Sequence, residues 1–185
     1  MKIPVLGMDP SLTNWGLAAA KLDLDDGCLD TPRLELVRPV EIKTKQVRKN
    51  SKDLHRTEQL ASSVLPEASK ATVIFVECPV GSKSARAMAS YGVCVGILGV
   101  LRHLEYTLIE VTPSEVKKAL TGDPMATKAE MIGAAMRLYP DADFPMHRGK
   151  VASKAEHLAD AIGAIHAGVR TPAFTSLMKL WKQVS

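Results

Sequence analysis

Two short apolar runs open the chain. Ile3 to Met8 is closed by Asp9-Pro10, and Trp15 to Lys21 follows across a polar turn, so both read as strands. Arg33 to Ile42 is read as a third, giving an antiparallel opening meander. From Ser51 to Ser69 the period changes: Leu54, Leu60, Ala61, Val64 and Leu65 recur at three and four, which predicts a helix. Thr72 to Val76 is apolar and β-branched or aromatic, the pattern of a strand buried on both faces of a parallel sheet. A helix from about Ala85 to Leu104, a strand from Tyr106 to Val111, a short helix from Pro113, a helix from Thr127 to Leu138 and a last strong helix from Lys154 to Gly168 complete the pattern. Tyr139 to Ala152 is the one long irregular stretch and is expected to be a mobile loop. Strands in a meander followed by strands alternating with helices predict an α/β architecture: a mixed five-stranded sheet, antiparallel and then parallel, flanked by helices. With 185 residues and no repeats or low-complexity linkers, the expectation is a single domain over residues 1–185.

Composition narrows the class without choosing a function. Hydrophobic residues make up 46% and charged residues 24%, as in a folded soluble protein. A net charge of +4 and a pI near 9.0 favour a polyanionic partner. Cys28, Cys78 and Cys94 form no CxxC pair and no even set, which argues against a disulfide framework or a structural zinc site and for a reducing compartment. Pro4, Asp9 and Pro10 interrupt the first apolar run before signal or membrane length, so the expectation is a cytoplasmic protein with no membrane partner.

Three acids stand where chemistry could use them. Asp9 ends the first strand and Glu77 ends the buried one; a carboxylate there is unfavourable unless something positive meets it. Parallel strands present ligands at their carboxyl ends, so the two could lie side by side. Each also has a purely structural reading, Asp9 as a turn residue before Pro10 and Glu77 as the point where the strand leaves for solvent. In the helix AEHLADAIGAIHAG, the residues Leu158, Ala161, Ile162 and Ile165 mark the buried stripe. His157 and Asp160 fall about 60° apart on its rim, with Glu156 about 40° further toward solvent. Either His157 or Glu156 could complete a site with Asp160; His55, His103, His147 and His166 are read as surface histidines. Three oxygen ligands, one imidazole and no cysteine suit Mg²⁺ or Mn²⁺. Two such ions about 3.5–4 Å apart would stabilise both oxygens of an in-line phosphodiester displacement.

Four segments, in order, resemble the RuvC Holliday junction resolvases: GMDPSLTNWGLA (Gly7 to Ala18), VECP with the following GSKSARAMA, VTPSEVKKALTGDPMATKAEM (Val111 to Met131) and HLADAIGAI. The resemblance implies an RNase H-like fold and a catalytic metal site of Asp9, Glu77 and Asp160. His157 takes the fourth position, where family members carry aspartate or histidine. It further implies two Mg²⁺ ions, replaceable by Mn²⁺, a homodimer, and branched DNA such as four-way junctions as substrate. Ser11 stands where the family usually has glycine, and Lys83 to Ser90 departs from the usual bacterial pattern, which would suit a phage-encoded member.

Positive charge accompanies each of these segments. Lys117, Lys118 and Lys128 lie where RuvC-like proteins place phosphate-contacting lysines; Lys83 and Arg86 flank the start of the long helix, and Arg148, Lys150 and Lys154 lead into the last one. Lys43, Lys45, Arg48, Lys49 and Lys52 form a further basic run that reads equally as a solvated turn. Aromatics are only 4%, so binding should rest on phosphate contacts and DNA shape instead of base stacking. In the long helix, Gly92, Gly96 and Gly99 with Ala85 and Ala89 suit close packing, on the chain's own sheet or, as the resemblance implies, against a second copy. An actin-like ATPase and a non-catalytic DNA-binding module on the same fold stay open as alternatives. The first lacks a second phosphate loop, and the intact acids Asp9, Glu77 and Asp160 speak against the second.

Overall fold

The computed structural model describes residues 1–44 and 46–184, with side chains as far as Trp181. Lys45, part of the basic run, lies outside the described residues. The expected mixed sheet is present. β1 (Lys2–Asp9), β2 (Trp15–Asp23) and β3 (Arg33–Val37) form the antiparallel meander, and β4 (Val73–Glu77) and β5 (Leu108–Val111) add in parallel, in the order β3-β2-β1-β4-β5.

Strand alternation sorts the core into two layers. Leu6, Met8, Ile74 and Val76 face α1 (Lys49–Ala68) and α2 (Ala85–His103). Ile3, Val5, Val73 and Phe75 face the opposite layer, built from α3 (Pro113–Thr121), α4 (Lys128–Leu138), α5 (Glu156–Gly168) and α6 (Pro172–Val184). α5 is the central helix of that layer, with Leu158, Ala159, Ala161, Ile162, Ala164 and Ile165 all at most 2% exposed. α2 is long and apolar enough to cross a membrane by length and composition alone, yet it buries Cys94, Ile97, Leu98 and Leu101 against the sheet.

Three expectations change. The third strand stops at Val37 instead of Ile42: Pro39 cannot donate to a ladder, and the Gln59 side chain takes up both the N–H and the C=O of Val40. The stretch from Tyr139 to Ala152 is not featureless. It buries Tyr139 and Phe144 and forms a small hairpin, β6 (Met146–His147) and β7 (Lys150–Val151), turned by Arg148 and Gly149 at φ 49° and 73°. The last helix, α6, was not expected. Thr171 caps it by accepting from the Phe174 N–H, Pro172 occupies its first turn, and Phe174 packs edge-on against Phe75 with centroids 5.4 Å apart.

Candidate active site

Met8 and Val76 are register partners on neighbouring parallel strands, so the next residues, Asp9 and Glu77, end those strands side by side. Both continue the face of Val5 and Val73 toward α5. Asp9 is also paired with Gly16 across β1 and β2. A Cβ at Gly16 would overlap the His157 carbonyl, and one at Gly7 would overlap that of Ala161. Backbone therefore meets backbone under the first turns of α5, and this contact carries His157 and Asp160 to the ends of β1 and β4.

The result is a cleft of about 340 Å³ lined by Asp9, Glu77, Glu156, His157, Asp160 and Lys128, with Ser11, Tyr91 and the Pro79–Gly81 turn at its margins. The His157 Nδ1–H donates to Asp9 Oδ2 at 2.6 Å, and its Nε2 lies 3.7 Å from Glu156 Oε1. Lys128 Nζ holds the other Glu156 oxygen at 2.7 Å. Glu156 does not sit further toward solvent than His157, as its angle on an ideal helix suggests: the two side chains are 18% and 20% exposed. A 3-10 turn at Ser153–Ala155 precedes α5, which starts at Glu156, and Glu156 lines the cleft beside His157.

The electrostatics are those of crowded acids short of positive charge. Burial pushes the Glu77 carboxyl up to about 8, with Asp9 and Asp160 adding to the rise and Lys117 opposing it. Burial and then Asp9 raise Asp160 to about 7, against His157 and Lys117. Burial alone would lower His157, but the bond to Asp9 and the charges of Asp9, Glu156 and Asp160 outweigh it and leave the imidazole above its ordinary value. A divalent cation would relieve all three. Among the described residues no three His, Cys, Asp or Glu side chains close into a ready-made metal cage. An open row of carboxylates still fits Mg²⁺, which keeps several waters and binds through one or two carboxylates plus substrate phosphates.

The cations expected on the DNA surface are distributed unevenly. Lys128 lines the cleft, and Lys117, half-buried on α3, acts on Glu77 and Asp160 through its charge. Lys118 instead lines a separate depression with Glu115 and Arg170. Arg86 is held by both Asp53 oxygens, at 2.7 and 3.0 Å. Lys83, Arg148 and Lys150 are exposed and do not line the cleft. The Lys128–Glu156 pair and Gly16 escaped the sequence reading; the glycine facing Asp9 in hairpin register was the available signal for the second.

No protein-family model matches the chain, and no curated protein sequence does. Solved structures do. Thermus thermophilus RuvC in complex with a Holliday junction substrate is similar at a TM-score of 0.64 and 20% identity, over 96% of each chain. A second Thermus thermophilus RuvC structure gives 0.62 and 22%, over 95% of this chain and 96% of that one. The yeast mitochondrial Holliday junction resolvase Ydc2 gives 0.59 and 13%, over 97% and 83%. At these identities the similarity establishes the fold: the chain has the RNase H-like fold of RuvC.

Proposed function

We propose that this chain is a metal-dependent endonuclease that resolves branched DNA, four-way junctions above all, as a homodimer. The observation that carries the reading is the convergence of Asp9, Glu77, His157 and Asp160, from three separate elements, on one cleft where burial and mutual repulsion of the acids outweigh the nearby cations and hold Glu77 and Asp160 above their ordinary range. The fold it shares with a RuvC solved on a Holliday junction supports DNA as the substrate.

Asp9, Glu77 and Asp160 would hold Mg²⁺ or Mn²⁺, two ions per site, with His157 as the fourth protein group. The bound ions would polarise the scissile phosphate and lower the pKa of the attacking water. The hydrogen bond from His157 Nδ1 fixes the Asp9 carboxylate and leaves Nε2 as the imidazole atom facing the cleft. Lys128 draws Glu156 aside and brings a positive charge to the phosphate path. Lys117, Lys118, Lys83, Arg86, Arg148 and Lys150 extend that charge over the surface. A second copy would pair on the outer face of α2, where Met88, Val95 and Val100 are each about half exposed and a Cβ at Gly92, Gly96 or Gly99 would meet only open space.

Purified protein with Mg²⁺ is to be offered four-way, three-way and linear DNA, with ATP turnover measured in parallel. Cutting of branched DNA without ATP hydrolysis is expected, and Asp9→Asn should abolish cutting while leaving junction binding nearly intact. Equal cutting of linear duplex would remove the structure-specific reading, and ATP hydrolysis without DNA cleavage would replace it.

A further inference from the structure

A second cleft, of about 500 Å³, lies on the other side of the turn that joins β1 to β2. Thr13 and Asn14 of that turn form one wall, Arg38 and Glu41 another, Arg56 lies within it, and Lys154 closes it. Both clefts hang on the same two segments: the turn begins directly after Asp9, and Lys154 precedes Glu156 by two residues.

Its charges do not balance. Arg56, only 8% exposed, is bound by Asp53 at 3.0 Å and by Glu41, and Asp53 in turn holds Arg86. Arg38 and Lys154 make no ion pair among the described residues. Four cations (Arg38, Arg56, Arg86 and Lys154) against two acids (Glu41 and Asp53) leave two positive charges uncompensated. The neutral polar groups beside them are underused. Asn14 Nδ2 donates only to Thr13 Oγ1, at 3.2 Å, which leaves one amide N–H for an acceptor. No aromatic side chain lines the cleft, so nothing in it favours stacking on a base. Cations with hydroxyl and amide groups are the equipment for phosphodiester oxygens.

We propose that this second cleft is a backbone subsite for the scissile strand, in which Arg38 and Lys154 bind phosphates flanking the one to be cut. A strand lying over Asp9 and Glu77 crosses the Ser11–Asn14 ridge and delivers its neighbouring phosphates to these cations. Arg38 and Lys154 are then positioning residues that set which phosphate reaches the acids. This inference rests on the endonuclease reading.

Junction binding by Asp9→Asn protein, which leaves DNA uncut, provides the test. Adding Arg38→Gln or Lys154→Gln should each flatten the dependence of log affinity on log salt by about one, and Arg38→Lys should restore it. Neutral methylphosphonates placed singly near the cut site should weaken binding to the Asp9→Asn protein, and at one position the penalty should vanish when Arg38 is also Gln. Both side chains reach the surface, so unchanged melting temperatures will show that the variants fold. Unchanged salt slopes in both variants, or methylphosphonate penalties equal with and without Arg38, would overturn the subsite alone. Failure of the Asp9→Asn protein and of the wild type to bind any branched DNA would instead overturn the endonuclease reading, and the subsite with it.

Discussion

Gly16 meets the backbone of His157 with no side chain between them, directly across the sheet from Asp9. The hydrogen bond from His157 to Asp9 therefore depends on a residue that contributes no functional group. A methyl group at this position would have to displace the first turn of α5. Gly16→Ala is expected to cost about 1–3 kcal/mol of stability, as overpacking of a close contact does. It should also slow cleavage by on the order of a hundredfold, as about 1 Å of misplacement does. Thermal unfolding and single-turnover cleavage measure the two effects; wild-type values in both would show that the contact does not position the site.

The acids make stability depend on pH in a definite direction. Glu77 at about 8 and Asp160 at about 7 stay protonated in the fold at pH values where the unfolded chain has released those protons. Stability is therefore lost progressively as pH rises from the ordinary carboxylate range to about 8, an effect on the order of several kcal/mol in all. His157 adds the same sign, because the stabilisation from its charged bond to Asp9 is full below its ordinary pKa and disappears above the raised one. Without divalent metal, the melting temperature should fall between about pH 5 and pH 8, and Mg²⁺ should raise it more at the upper end, where it no longer competes with protons. A melting temperature that is flat with pH and indifferent to Mg²⁺ would contradict the cation site.

His157 and Glu156 both reach the cleft, and their replacement separates their roles. His157→Asp should keep measurable cleavage, since a carboxylate can fill a ligand position, while His157→Leu should lose it. If the imidazole moves a proton, His157→Asp should instead flatten the pH–rate profile where histidine titrates. Glu156→Gln should retain activity, because Glu156 is engaged by Lys128. Cleavage lost in Glu156→Gln but kept in His157→Leu would exchange the two assignments.

The β6–β7 hairpin allows charge to be removed without disturbing the backbone. Arg148 holds φ 49° ahead of Gly149, a conformation that asparagine adopts more readily than arginine. Arg148→Asn should leave stability within about 0.5 kcal/mol of wild type. The same variant should weaken junction binding and lower the salt slope by about one. Unchanged affinity and slope would place the hairpin tip off the DNA.

What could be read in the sequence was local or periodic. An apolar run ending in an acid located Asp9 and Glu77, and the helical stripe located His157 and Asp160. The seating of the first turns of α5 on the sheet could not be read, because it depends on two glycines in strands far away along the chain. The partner of Arg86 was equally hidden: Asp53 lies 33 residues earlier on another helix. The end of β3 and the start of α6 were signalled by Pro39 and by Thr171-Pro172, local cues outweighed by the apolar pattern around them.

α5 carries reactive groups on the most deeply packed helix of the molecule, seated on strands without intervening side chains. Its amides should exchange hydrogen only when the whole molecule opens, so that the site belongs to the most cooperative unit of the structure and not to a separately melting one. On the endonuclease reading, no warm, half-loosened state that recognises DNA but cuts at the wrong bond is expected. Heating should end recognition of the correct bond and global order at one temperature.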